Sequence, residues 1–362
     1  MTVPALQNRV LLRPDDLRPL VPGYRIVGAF NPAAVLYEDE IILLVRVAEQ
    51  PIESVPGRVT APRVVWKDDQ PTWELDTFEA TGIDTHDPRV LNLPDGRVRL
   101  PHISHLRLVR LDATTTAVKE IIVLPQLQPQ QPWEELGIED ARITRIEDIY
   151  YITYVAISRQ FGVTTALMTT RDFVTFERRG IIFPAEDKDV VLLPEKRDGA
   201  FLAFHRPTPH TWVNAPSITA SRSPDATHWG DHRVVIAPRA GHWDSVKVGA
   251  GAPPVRLPQG WLLLYHGVDT VTAENPIGRY CAGAVLLDGD DPSEVLARSS
   301  EPLFIPHQAH EVNGFVPNVV FPTGVLLSDD EQDLTIFMGA ADEVVTVQSI
   351  SVQVILEHLD FA

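Results

Sequence analysis

The sequence predicts an all-β protein, folded as a single five-bladed β-propeller. Three observations carry this. Short strands of period two, each behind a polar turn, recur along the whole chain. Its 31 prolines are scattered throughout, which works against long helices and suits many short strands. The turns return at intervals of roughly 50 to 75 residues, the size of a repeat built from several strands.

The elements follow one plan. VLYEDEIILLVRVAE (35–49), LPDGRVRLPHIS (93–104) and IEDIYYITYVAIS (146–158) each place a polar turn before an apolar run. KRDGAFLAFHRP (196–207), LPQGWLLLYHGV (257–268) and DEQDLTIFMGAAD (330–342) do the same. A turn feeding four to seven β-branched, aromatic or leucine residues is the signature of a hairpin. Six hairpins do not divide evenly among five blades. A ring closed by both chain ends absorbs the sixth, with the last hairpin completing the first blade. A pair of β-sandwiches is the alternative architecture. No linker rich in Gly, Ser or Pro interrupts the chain, so residues 1–362 read as one domain with an N-terminal extension over about residues 1–25. In a propeller, inner strand ends that are distant in sequence meet at one central channel.

Composition narrows the function. With 44% hydrophobic residues the chain can bury a substantial core. A formal net charge of −18 makes nucleic acid and anionic membranes poor partners. A single cysteine, Cys281, excludes an intrachain disulfide and fits a reducing compartment. Its setting, RYCAGAVLL, reads as a buried strand rather than a nucleophile's site. The first residues lack a secretory apolar run, and no segment approaches the roughly 20 apolar residues of a membrane span. A cytoplasmic location is therefore expected. No metal-ligand spacing and no cofactor-binding motif occurs. Neither a metal nor an organic cofactor is expected, and self-association into a homo-oligomer stays open.

Against this acidic background, Arg142, Arg159, Lys188 and His205 stand in strand-flanked motifs: IEDARIT, AISRQFG, DKDVVLLPEK and FHRP. Cations so placed suggest recognition of a small anion rather than a polyanion. Asp87, in THDPRV, is a candidate general acid, or else an Asx turn or a partner for Arg89. Strict alternation would put Asp140 and Arg142 on one face of a strand, where they are either an ion pair or site residues. YHGVD (265–269) and GAAD (339–342) end strands with polar groups that either bind sugar hydroxyls or terminate the strands.

Together, NPAA (31–34), LLVRVAE (43–49), HDPRV (86–90), IEDARIT (138–144), YYITYVAISRQFG (150–162) and DKDVVLLPEK (187–196) resemble glycoside hydrolase family 130. The likeness continues through FHRP, SRSPDATHWG, WDSVKVGAGAPPV, GWLLLYHGVD and GFVPNVVFPTG. It spans about residues 30 to 345. The resemblance implies a five-bladed propeller and inverting phosphorolysis of a β-mannoside to α-mannose 1-phosphate. Inorganic phosphate is then the co-substrate and a small oligosaccharide the partner. It places the acid at Asp87, acting through the mannosyl 3-hydroxyl. Phosphate falls to Arg142, Arg159, Lys188 and His205, and the sugar to Asn31, Arg46, Asp140 and Asp269. His86 departs from the aromatic residue that some members carry before the acid. The family also holds β-1,2-mannosidases that use water, so hydrolysis is the alternative. A non-catalytic glycan-binding propeller is the third reading. Acceptor sugar and linkage are not legible.

Overall fold

The computed structural model describes residues 6–361 except 54, 69, 209, 210, 212 and 274. It is all-β. Among the described residues the only α-helices are two short ones, Ala309–Val312 and Val352–Glu357, as the spread of prolines predicts. Neither is long and apolar enough to cross a membrane.

The strands form four-stranded antiparallel units in chain order. The first takes Tyr24–Tyr37, Glu40–Pro51, Ile103–Asp112 and Val118–Ile122; the second takes Gly137–Ile146, Ile149–Ser158, Gly162–Thr170 and Glu177–Phe183. These two join through one parallel pairing, Gly137 with Ser104. Gly137 has φ of +125°, and a Cβ there would lie 2.9 Å from the Ser104 backbone, so only glycine permits the junction.

The third unit takes Asp187–Leu192, Phe201–Pro207, Ile218–Ser223 and Gly230–Ile236. The fourth is built on Lys247–Ala250, Gly260–Asp269, Arg279–Leu287 and Val295–Ser299, with Leu359–Phe361 on its edge. The last holds Val320–Leu327, Asp333–Ala340 and Val344–Ser351, and the N-terminal strand Leu6–Leu12 pairs beside them.

Three expectations change here. The first strand completes the last sheet, rather than the last hairpin completing the first. The expected extension is also partly structural, because residues 6–12 belong to a sheet. The sixth hairpin signal is explained differently too: LPDGRVRL forms a small two-stranded piece, Leu91–Asn92 with Val98–Arg99, outside the large sheets.

The core lies between sheets. Leu44, Leu108, Ile143 and Ile152 pack between the first and second units; Leu167, Phe183, Val190 and Phe201 between the second and third. Phe204, Ile218, Leu263 and Val285 join the third and fourth, and Leu264, Leu286, Ile336 and Met338 the fourth and last. Leu43, Val45, Phe337 and Val347 then connect the last unit back to the first. Each such side chain, fully buried, contributes about 1.5–3 kcal/mol. Cys281 lies buried in the fourth unit, its thiol pushed up to about 12 by burial, as a structural cysteine should be.

Candidate active site

One cavity of about 690 Å³ is lined by residues from all five units. Its lining holds eight arginines and lysines against six aspartates and glutamates, a local balance opposite to that of the whole chain.

Three lining residues reach the cavity through the same backbone device. Asn31, Asp140 and Asp189 have φ of 47°, 47° and 56°. Each sits in a register break on the first strand of its unit: between Phe30 and Ala33, Glu139 and Arg142, and Lys188 and Val191. Asn and Asp tolerate this left-handed conformation better than other non-glycine residues, and a bulge re-aims the side chain it carries. Asp342, in the turn after Asp333–Ala340, also lines the cavity and has φ of 51°.

The floor is a hydrogen-bonded network. Asn31 Nδ2 donates to Asp140 Oδ1 at 2.9 Å, and Arg46 Nη1 donates to the same oxygen at 3.1 Å. Arg46 Nη2 bonds Glu139 at 2.6 Å, and its Nε donates to Ser104 Oγ at 3.1 Å. Its guanidinium lies over the Phe30 ring at 4.6 Å. Space here is tight: a Cβ on Gly339 would overlap Asn31 Oδ1. Burial works to raise the Asp140 carboxyl, but Arg46 and Arg142 outweigh it and hold it below its usual range. Asp342 behaves oppositely. Burial pushes it up to about 6 despite Arg46 and Arg89.

A cationic wall rises beside this floor. Lys188 pairs with Arg206 across adjacent strands, so both side chains face the cavity. Arg206 bonds Asp189 at 2.7 Å and His266 Nε2 at 3.2 Å. Burial favours a neutral Asp189, yet Arg206, His266, Arg142 and Lys188 hold it down at about 2. Burial lowers His266 to about 3, which makes it neutral. Lys247 and Tyr280 both pair with Val268, one from each side, and the Lys247 ammonium lies 5.1 Å from the phenol ring. Burial works to raise the Tyr280 phenol, but Lys247, Arg89 and Arg206 bring it down to about 8. Among the described residues neither Lys188 nor Lys247 has a carboxylate partner, whereas Arg46, Arg89, Arg159 and Arg206 all do.

Of the residues singled out in the sequence, Asn31, Arg46, Asp87, Asp140, Arg159 and Lys188 line this cavity. Asp87 is held by Arg89 through both carboxylate oxygens, at 3.0 and 2.8 Å. Burial opposes its ionisation, but Arg89 prevails and keeps the carboxyl below its usual range. Arg159 lies at the exposed rim, tied to Glu135 at 2.7 Å.

Three expectations fail geometrically. Arg142 is buried beneath the wall, donating to the Gly251 and Asp140 carbonyls; the bulge at Asp140 breaks the alternation that would have kept both on one face. His205 points to the opposite side of its sheet, toward a second cavity, and its neighbour Arg206 takes the inward position. Asp269 is paired with Arg279 at 2.6 Å and does not line the cavity. Of the two polar strand ends, GAAD supplies the lining carboxylate. Arg206, Lys247, His266, Tyr280 and Asp342 were missed as site residues. Their signal was present in FHRP, WDSVKVG, YHGVD, RYCAG and GAAD, but strand facing was not legible there.

Comparisons with known proteins show which proteins this chain resembles. The β-1,2-mannobiose phosphorylase of Listeria innocua serovar 6a is 37% identical over 366 residues, 99% of each chain. The 1,2-β-oligomannan phosphorylase of Thermoanaerobacter sp. is 36% identical over 62% of this chain and 71% of its own. A solved structure of the Listeria innocua β-1,2-mannobiose phosphorylase with β-1,2-mannobiose superposes with a TM-score of 0.88 at 36% identity, covering 96% of both chains. The family model described as β-1,4-mannooligosaccharide phosphorylase matches residues 104–360. The chain belongs to glycoside hydrolase family 130.

Proposed function

We propose that this protein is an inverting β-mannoside phosphorylase, with β-1,2-linked mannobiose the first substrate to test. The observation that carries the reading is a pair of lysines, Lys188 and Lys247, that have no carboxylate partner among the described residues and stand beside Arg206 in the cavity wall of a strongly acidic chain. Unneutralised cations grouped in a partly enclosed site suit an oxyanion, because charge-assisted hydrogen bonds offset the cost of desolvating it. The near full-length likeness to a β-1,2-mannobiose phosphorylase supports the same chemistry.

In this reading an oxygen of inorganic phosphate, held by Lys188, Arg206 and Lys247, attacks the anomeric carbon as the bond to the aglycone oxygen breaks. That oxygen takes up a proton, and the products are α-mannose 1-phosphate and the shortened sugar. Phosphate is the nucleophile, so a second carboxylate is not required. Asn31, Arg46 and Asp342 hold the sugar.

We assign the proton donor to Asp140 rather than Asp87. Asp87 has both oxygens engaged by Arg89, which stabilises the ionised form. Asp140 has one oxygen oriented by Asn31 and Arg46, and the other makes no bond among the described residues. A phosphate anion arriving nearby adds negative charge and raises the Asp140 carboxyl toward the protonated state. Arg159, at the rim, serves the outer substrate.

The architecture we propose is one five-bladed propeller domain. It is supported by five four-stranded units, five apolar clusters that lead from each unit to the next and back to the first, and one cavity lined by all of them. A cytoplasmic setting suits a phosphate-dependent enzyme with one buried thiol.

Hydrolysis is the second reading, favoured by Glu186, a carboxylate that lines the cavity next to Lys188. Product analysis separates the two. Mannose 1-phosphate should form only when phosphate is supplied; free mannose released at the same rate without phosphate would replace phosphorolysis by hydrolysis.

A further inference from the structure

Behind the cationic wall, four polar side chains form one chain of hydrogen bonds across the whole third unit. Asp187 Oδ2 meets His205 Nδ1 at 2.6 Å, His205 Nε2 meets Ser221 Oγ at 2.7 Å, and Ser221 Oγ meets His232 Nδ1 at 2.6 Å. Each residue comes from a different strand of the unit. His205 is 2% exposed and stacks on Phe183 with ring centroids 4.2 Å apart. Ser221 is fully buried, so it is not a reachable nucleophile despite the Asp–His–Ser order.

The chain's place in the ladder gives it meaning. Lys188 lies opposite Arg206, and Asp187 lies opposite Pro207. On one side of the Lys188–Arg206 pair the ladder breaks at the bulge between Lys188 and Val191. On the other side the backbone pairing continues, with Thr208 N donating to the Glu186 carbonyl at 2.8 Å. The two cations at the anion wall therefore sit at the last regular pair before the bulge, with ladder support from one side only. Asp187 and His205 immediately precede them on the two strands, and their side chains bond to each other on the rear face of the sheet.

We propose that the Asp187–His205 bond is a positioning clamp that fixes the Lys188–Arg206 pair for anion binding, with Ser221 orienting the His205 ring from behind. His205 touches no substrate; it acts through the two residues in front of it. The inference rests on the assignment of Lys188 and Arg206 to the phosphate site. Asp189 adds to the need for a clamp. It holds Arg206 at 2.7 Å from the bulge itself, so a slip of either strand moves the arginine and its carboxylate apart.

The two ring nitrogens have separable substitutes. Asparagine at 205 places a side-chain N–H near the Nδ1 position and keeps the bond to Asp187. Glutamine reaches toward the Nε2 position and keeps only the Ser221 side. We expect His205→Gln to weaken phosphate about tenfold or more in KM, with the mannoside KM within about twofold of wild type. His205→Asn should bring the phosphate KM back to within about threefold. Calorimetric titration of the intact protein with inorganic phosphate reads the same order without turnover, and thermal melting of both variants reports the fold. Equal phosphate affinity in both variants, or equal rises in the two KM values that follow the loss of melting temperature, overturns the clamp. If wild type binds phosphate but cleaves mannoside without needing it, the phosphorylase reading fails while the calorimetric series still decides the clamp. If wild type binds no phosphate, both fall.

Discussion

Replacing Lys247 by methionine isolates the anion wall with little damage to the fold. The substitution keeps an unbranched side chain of similar length and removes the charge. No carboxylate pairs with Lys247 among the described residues, so no buried anion is left behind, unlike the case of Arg206 and its partner Asp189. Stability should therefore change by no more than about 1 kcal/mol. Losing one charge-assisted contact in a partly enclosed site costs about 2–4 kcal/mol of anion affinity. That is roughly a 30- to 1,000-fold rise in phosphate KM, while mannoside KM at saturating phosphate should hold. A second readout is internal to the wall. Lys247 is the first of the cations that bring the Tyr280 phenol down to about 8 against burial. Without it, ultraviolet titration should find that phenol at about 10 or higher. In wild type, Tyr280 becomes a phenolate above pH 8, beside the anion, and phosphate KM should climb there. In the variant the climb should move to higher pH. A Lys247→Met enzyme with wild-type phosphate KM and an unmoved tyrosine would refute the placement of phosphate at this wall.

Further outcomes follow from the floor. Asp140→Asn should keep the fold and lower turnover by on the order of 10² to 10⁴, the usual share of a positioned proton donor. Asp87→Asn should cost clearly less, and the reverse order in initial rates returns the acid role to Asp87. Asp342 is pushed up to about 6 mainly by burial, so its neutral form suits the folded state. The stability it favours is present below the unfolded value of about 3.8 and is lost as pH rises through 6. Asp342→Asn should therefore be more stable than wild type at pH 8, on the order of 1–3 kcal/mol, with the advantage gone near pH 3.5. Urea unfolding at the two pH values checks this, and an advantage that is constant with pH would contradict it. The same variant should bind mannoside less tightly.

Much of the fold was legible because hairpins are local. The turn before Ile41, the turn before Ile149 and Gly260 each carry their own chemistry, and the apolar runs after them form strands wherever they are packed. The site was legible only in part. The motifs around Asn31, Arg46, Asp140 and Lys188 led to a single cavity, because polar residues that interrupt an apolar strand need a reason to be there. Facing was harder. His205 and Arg206 are adjacent, so one points to the cavity and the other away, and nothing local says which face of the sheet the cavity occupies. Arg142 was misplaced for a related reason: one residue in the left-handed conformation at Asp140 reverses every assignment made by counting twos.

Strand content, scarcity of helix, a buried cysteine and an anion-directed chemistry in an acidic chain all follow from residue types and their short-range order, since turn preference and period act within a few residues. Long-range packing chose the members of the site. Lys188, Arg206, Lys247 and Tyr280 become neighbours through pairing registers, and Asp342 joins Asp140 because the last unit packs back against the first. The N-terminal strand entered the last sheet for the same reason: an edge finds its partner through space, and separation along the chain carries no record of it.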